Sequence, residues 1–256
     1  MDRAYFLSDV SAQVWESKYR WHETDGTVAD TWRRIAHALA SVESTHQAEW
    51  EARFYQALEN FRFLPGGRIQ AGAGTGRRVT LFNCFVMGTI ADSMDGIFDA
   101  LKQGAITMQQ GGGVGYDFST LRPAGMRAES VGSVASGPVS FMRIWDSMCG
   151  TILSTGARRG AMMATLRCDH PDIGLFIDAK REIGVLKNFN LSVLVSDAFM
   201  HAIDRDEDWP LVFPYHTYLS DYNEEFIMRE WPGCDGPVRC KVFHHVSARA
   251  LWQKIL

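Results

Sequence analysis

Cys84 sits in the run Leu81-Phe82-Asn83-Cys84-Phe85-Val86, a strand-like apolar stretch with one polar neighbour. A thiol there can donate hydrogen or form a disulfide, but on residue type alone it reads as buried and inert. Four other cysteines are widely spaced. Cys149 falls on the apolar stripe of a helix and reads as core. Cys168 adjoins the turn Asp169-His170-Pro171 and reads as structural, while Cys234 and Cys240 flank a loop where they could pair or stay inert. No C-x-x-C or H-E-x-x-H spacing occurs, and the neighbours His244 and His245 would point to opposite faces of a strand. No metal ligand set is expected.

The second conspicuous chemistry belongs to glycine and arginine. Residues 109–119 read QQGGGVGYDFS, with four glycines in five positions. Each interior glycine costs roughly 0.5–1 kcal/mol relative to alanine, so this is either a tight turn or a backbone that something touches closely. Residues 72–76 (GAGTG) superficially suggest a dinucleotide fingerprint, but no strand precedes them and arginines follow. The phosphate loop G-x-x-x-x-G-K-[ST] is absent. QQGGGVG itself follows a helix and enters a strand, the reverse of the order a dinucleotide fold requires.

The elements that must position these residues follow from periodicity. Helical patterns fill the chain up to about Phe63: Val10 and Val14, then Trp32, Ile35, Ala36 and Leu39, then Trp50, Phe54, Tyr55 and Leu58. A Pro-Gly-rich crossing at 64–78 ends them. Residues 79–87 read as a buried strand, and Asp92 as the N-cap of a helix bearing Ile97, Phe98, Leu101, Ala105 and Met108. Strands at 113–118, 161–166 and 191–195 alternate with helices opening at Pro138 and Pro171. This order predicts an α/β layer or barrel behind a helical N-terminal region. The expected division is 1–63 helical and 64–256 α/β.

Composition narrows the function classes. At 256 residues, 46% hydrophobic and with net charge −4, the chain can bury a large core and offers no surface built for nucleic-acid phosphates. The first residues carry acids and lack the apolar run of a secretory signal, and no stretch reaches the roughly 18 apolar residues of a membrane helix. With an odd number of scattered cysteines, a cytoplasmic protein is expected.

Several motifs then fall in one order: Asn83-Cys84; Asp92-Ser93-Met94-Asp95-Gly96; Gly111-Gly112-Gly113-Val114-Gly115; Leu121-Arg122-Pro123; Ser136-Gly137-Pro138-Val139-Ser140-Phe141; Gly156-Ala157-Arg158-Arg159-Gly160; Asp169-His170-Pro171-Asp172; and Asn188-Phe189-Asn190-Leu191-Ser192. The series resembles the dimeric, adenosylcobalamin-dependent (class II) ribonucleotide reductases, from about Phe61 to at least Met200. The resemblance implies roughly the first half of a ten-stranded α/β barrel. It also implies reduction of the ribose 2′-carbon, by a thiyl radical that adenosylcobalamin generates and a cysteine pair that becomes a disulfide. A thioredoxin-like dithiol would restore that pair. The implied partners are a ribonucleotide substrate (most often a diphosphate), a deoxynucleotide effector and a second copy of the chain.

By the same resemblance, Cys84 matches the first reducing cysteine and lies with Asn83 against the substrate. Gly113 matches a backbone position that closely approaches the nucleotide. Asp92 and Ser93 open the effector site, with Asp92 matching its ribose-binding carboxylate and Arg122 a cation near its phosphates. Arg158 and Arg159 match the loop that carries base specificity from effector to substrate. One departure stands out: many relatives have Ser-Pro-Thr after Phe-Leu-Pro, where this chain has Gly66-Gly67-Arg68-Ile69. Substrate phosphate is therefore expected to meet glycine amides and Arg68.

The family's Asn-x-Cys-x-Glu motif does not occur. The helix opening at Ser247 stops in mid-turn, so the chain is expected to be cut, inactive alone and prone to association. The alternative expectation is a short, non-catalytic protein of that fold, binding a nucleotide or a partner.

Overall fold

The computed structural model describes residues 5–128, 133–152, 161–215 and 224–256, and the chain divides into two units. In the first unit, the Ser8 hydroxyl accepts from the Ser11 N–H and starts α1 (Asp9–Val14), which runs into a π turn, Trp15–Tyr19. Thr27 and Asp30 form a reciprocal capping box for α2 (Val28–Ala40), whose buried stripe includes Trp32, Ile35 and Ala36. A cap of this kind contributes about 1 kcal/mol. Next come α3 (Gln47–Leu58) and the short α4 (Gly67–Gly72). Trp15, Val28, Trp32, Ile35, Ala36, Leu58 and Ala73 form the core of this unit.

A buried ion pair ties its pieces together. Asp25 accepts hydrogen bonds from the Trp21 N–H (2.9 Å), Thr31 Oγ1 (2.8 Å) and Arg34 Nη2 (2.9 Å). Arg34 donates onward to the carbonyls of Tyr19, Gln70 and Ala73. One carboxylate and one guanidinium thus fix the turn before α2 and the end of α4. Burial pushes the Asp25 carboxyl up, but the bonds from Arg34, Trp21 and Thr31 outweigh it, so it titrates below its ordinary value.

The second unit begins near β1 (Cys84–Val86) and holds α5 (Met94–Gln109), β2 (Gly113–Asp117), β3 (Arg127–Ala128), β4 (Ser133–Val134) and α6 (Pro138–Thr151). It continues with β5 (Met162–Arg167), α7 (Ile173–Asp178), β6 (Phe189–Leu194) and α8 (Asp197–Arg205). The strands β2, β5 and β6 pair in parallel, with Val114 opposite Met162 and Met162 opposite Phe189. β1 completes the order β1-β2-β5-β6, and the Met87 N–H donates to the Gly115 carbonyl. The core centres on Phe118, which meets Trp145 of α6 and Phe189 of β6 edge-on at 5.3 and 6.1 Å. The chain is thus a helical N-terminal region followed by an α/β domain with a parallel sheet.

An antiparallel sheet follows, formed by β7 (Asp208–Pro214), β8 (Phe226–Glu230) and β9 (Pro237–Ser247), with β9 in the centre. The sequence shows here only a loop flanked by Cys234 and Cys240. Ser247 then caps α9 (Ala248–Ile255), its hydroxyl accepting from the Ala250 N–H.

Four local expectations are corrected. Phe98, expected on the apolar face of α5, is 46% exposed, and the helix expected to open at Pro171 begins at Ile173 with Asp172 before it. The strand expected over 79–87 contracts to Cys84–Val86, and it is not buried: Phe82 is 72% and Val86 98% exposed. The N-cap of α5 is Ser93, whose hydroxyl accepts from the Gly96 N–H (3.1 Å), and not Asp92. The Asp92 carboxylate is engaged by Arg122 instead.

Candidate functional site

Asp92 and Arg122 lie 30 positions apart in sequence, yet the second unit brings them together. Arg122 Nε donates to Asp92 Oδ2 at 2.8 Å, its backbone N–H to Oδ1 at 3.2 Å, and Nη2 to the Asp92 carbonyl at 3.2 Å. Both side chains are about 30% exposed. A half-exposed pair of this kind contributes on the order of 0–1 kcal/mol, so an anion can compete for the guanidinium at little cost. Beside them, Ser93 starts the sixteen-residue α5, whose N-terminal end favours negative charge.

The segment carrying Arg122 is irregular backbone held from several directions. Thr120 Oγ1 donates to the Ile90 carbonyl at 2.7 Å. His170 is fully buried; its Nδ1 accepts the Asp172 N–H at 3.0 Å, so the proton sits on Nε2, which donates to the Leu121 carbonyl at 2.9 Å. Burial lowers the His170 pKa to about 4. Asp172 Oδ2 accepts the Ala124 N–H at 2.9 Å, and burial pushes that carboxyl up. Gly137, with φ +79°, passes so close that a Cβ would run into the Asp172 carboxylate and the Ala124 backbone. The Asp169-His170-Pro171-Asp172 turn, read in the sequence as a turn and as one motif of the series, thus supports the Arg122 segment.

In the first unit, Cys84 is exposed at the head of β1, which overturns the expectation from residue type that it is buried. Asn83 is exposed beside it. Its Nδ2 stands 3.8 Å from where a Gly66 Cβ would lie, so it faces the start of α4. Arg68 on α4 is half-buried, and its Nε–H is buried with no acceptor among the described residues. The glycine-rich turn belongs to the same unit. Gly111 has φ +91°, and a Cβ there would come within 3.0 Å of Arg68 Nη1, while the Gln110 carbonyl accepts from the Thr80 N–H at 3.0 Å. Both the turn and the close approach require glycine at this point. Gly113 is buried and opens β2 of the second unit. Arg158 and Arg159 lie outside the described residues.

Three of the remaining thiols, Cys149, Cys168 and Cys240, are buried, unlike Cys84. Burial, then the charge of Asp169, pushes both Cys168 and Cys240 up to about 11. Burial, then Asp146, raises Cys149. Cys234 is exposed while Cys240 is buried, and the two are not bonded.

Known proteins are similar to this sequence. The ribonucleotide reductase all-alpha domain matches residues 5–78, and the ribonucleotide reductase barrel domain matches residues 82–256. A vitamin B12-dependent ribonucleoside-diphosphate reductase of Mycobacterium tuberculosis (strain CDC 1551 / Oshkosh) is 42% identical over 217 residues, covering 81% of this chain and 31% of the relative. A protein of the same name from Thermoplasma acidophilum is 36% identical, with 81% and 27% covered. The ribonucleoside-diphosphate reductase subunit alpha of Helicobacter pylori (strain J99) is 28% identical, with 79% and 26% covered. The chain spans about a third or less of the length of these relatives. With a helical domain and a barrel-type α/β domain both matched along nearly its whole length, this chain belongs to the ribonucleotide reductase family.

Proposed function

We propose that this chain supplies the N-terminal portion of an adenosylcobalamin-dependent ribonucleoside-diphosphate reductase. The observation that carries the reading is Cys84, an exposed thiol at a strand head beside Asn83, in a chain whose relatives are named vitamin B12-dependent reductases. In the overall reaction the ribose 2′-C–O bond breaks, the hydroxyl leaves as water, hydrogen replaces it, and two thiols become a disulfide. Cys84 is one of these thiols, and a thioredoxin-like dithiol reduces the disulfide afterwards.

Asn83 and the Gly113 backbone lie against the substrate in this reading, and Arg68 meets its phosphate. Asp92, Ser93 and Arg122 take the deoxynucleotide effector at the contact between two copies of the chain, and Arg158 and Arg159 relay base identity. What supports the effector assignment is the competition available at the half-exposed Asp92–Arg122 pair. The helical region is taken as residues 1–63 and the barrel portion as 64–256.

Adenosylcobalamin, when bound, supplies the radical that starts the reaction. Two clefts among the described residues of the first unit, about 240 and 490 Å³, are each too small for a corrin, and no residue here is assigned to hold it. No described helix is long and apolar enough to cross a membrane; the cytoplasm is the proposed compartment.

The test is Cys84→Ser in the full-length reductase. Multiple turnover with a thioredoxin system should be lost while cobalamin still binds. Turnover near that of the unmodified enzyme would remove Cys84 from the reaction.

A further inference from the structure

Asp172 stands directly before α7, where an aspartate side chain ordinarily caps the helix, yet it forms no cap hydrogen bond. Its carboxylate is turned elsewhere. Oδ2 accepts the Ala124 N–H at 2.9 Å, across 48 positions of sequence, and the residue is only 6% exposed. A residue type suited to capping thus leaves its own helix end uncapped and holds a distant amide instead.

That amide lies at the root of the β3–β4 pair. Arg127 stands opposite Val134 and Ala128 opposite Ser133. The pairing continues through Gly125 N–H to the Ala135 carbonyl (2.9 Å) and Ala135 N–H to the Met126 carbonyl (2.8 Å). The two strands therefore leave and return through Ala124 and Gly137. Gly137 has φ +79°, and a Cβ added there would run into Asp172 Oδ2 and lie 2.9 Å from the Ala124 nitrogen. Both roots meet at one buried carboxylate.

Arg122 stands two residues before Ala124. On its other side the Leu121 carbonyl accepts from buried His170 at 2.9 Å, while its own amide donates to Asp92. One turn, His170 to Asp172, grips the chain on both sides of the half-exposed guanidinium. A cation held in this way meets an anion without first ordering its backbone, a step that costs about tenfold in affinity for each residue left free.

We infer that Asp172 is a positioning residue for deoxynucleotide recognition: by holding Ala124 against Gly137, it fixes the backbone from which Arg122 meets the effector. The inference rests on the effector reading of Asp92, Ser93 and Arg122 above, and adds to it a residue that touches no nucleotide.

The experiment uses the full-length reductase, with the four deoxynucleoside triphosphates in turn as probes. Calorimetry reads their affinity, and turnover is measured separately without any of them. Asp172→Asn keeps an oxygen that can accept the Ala124 N–H. Asp172→Ser keeps a residue able to cap α7, but one too short to hold Ala124. The serine variant should bind effector about tenfold more weakly; the asparagine variant should stay within about twofold of the unmodified enzyme, because the hydrogen bond survives. Effector-free turnover should be unchanged in both. Gly137→Ala, whose methyl forces Ala124 away from the carboxylate, should reproduce the loss by an independent route. A serine variant with unchanged effector affinity overturns the inference. So does one whose effector-free turnover falls by the same factor, the mark of a general structural role, or an asparagine variant as weak as the serine one. Arg122→Ala separates the two readings. Weaker binding there, beside an unaffected serine variant, removes Asp172 and leaves the effector site standing; unchanged binding there removes the effector reading and this inference together.

Discussion

Arg122 reaches Asp92 through both its side chain and its main chain, with Nε 2.8 Å and the backbone N–H 3.2 Å from the two oxygens of one carboxylate. The carboxylate therefore anchors a segment as well as neutralising a charge. Asp92→Ala should release both, whereas Arg122→Ala removes only the cation. In the full-length enzyme, either change should weaken deoxynucleotide binding by about 1–3 kcal/mol. Calorimetry showing unchanged affinity in both variants would sink the effector assignment.

Thiol reactivity should separate the cysteines in two groups. Cys84 and Cys234 are exposed, while Cys168 and Cys240 are buried with pKa values pushed up to about 11. Under native conditions at neutral pH, iodoacetamide should modify the first two and spare the others. Mass mapping that finds Cys168 modified as fast as Cys84 would contradict the burial described for that turn.

Removing one partner of the buried Asp25–Arg34 pair should be costly. Asp25→Ala leaves the Arg34 guanidinium uncompensated and should lower the stability of the helical unit by about 3–5 kcal/mol. Because the folded carboxyl titrates below its ordinary 3.8, its contribution is present above that pH and lost as pH falls through the lower folded value. Denaturant midpoints of wild type and variant should therefore converge in strong acid; a constant difference down to pH 2 would exclude the linkage.

His170 carries the opposite group type with the same pH direction. It is neutral when folded, with a pKa of about 4 against 6.5 when exposed, so the unfolded chain binds the extra proton between those values. Stability should fall as pH drops from 6.5 to 4, by roughly 3 kcal/mol from this group. In His170→Gln that portion of the pH slope should vanish, although the variant is less stable at neutral pH. An unchanged slope would assign the acid sensitivity elsewhere.

Much of the architecture was legible in sequence because periodicity and caps agree there. The α5 face at Ile97, Leu101 and Met108 (though not Phe98), the Pro138 start, the strands around Val114, Met163 and Leu191 and the Ser247 cap all follow local rules. The Cys84 stretch misled for a physical reason: an apolar run does not reveal which of its faces is covered, and Phe82 and Val86 are open. Residues 208–247 hid their strands because prolines at 210, 214 and 237 interrupt the alternation, although β9 still pairs on both sides. Contacts such as Asp25 to Arg34, or His170 to Leu121 across 49 positions, depend on the fold and have no local signature.

The anchoring of residues 120–124 also has a kinetic face. The Arg122 and Ala124 amides donate to buried or half-buried carboxylates, although neither lies in a helix or strand. Solvent deuterium can replace these hydrogens only when Asp92 or Asp172 lets go. Those two positions should therefore exchange as slowly as strand amides, and deoxynucleotide should alter the rate at Arg122 before that at Ala124. A stretch of loop would then act as a clock for the occupancy of a site it borders.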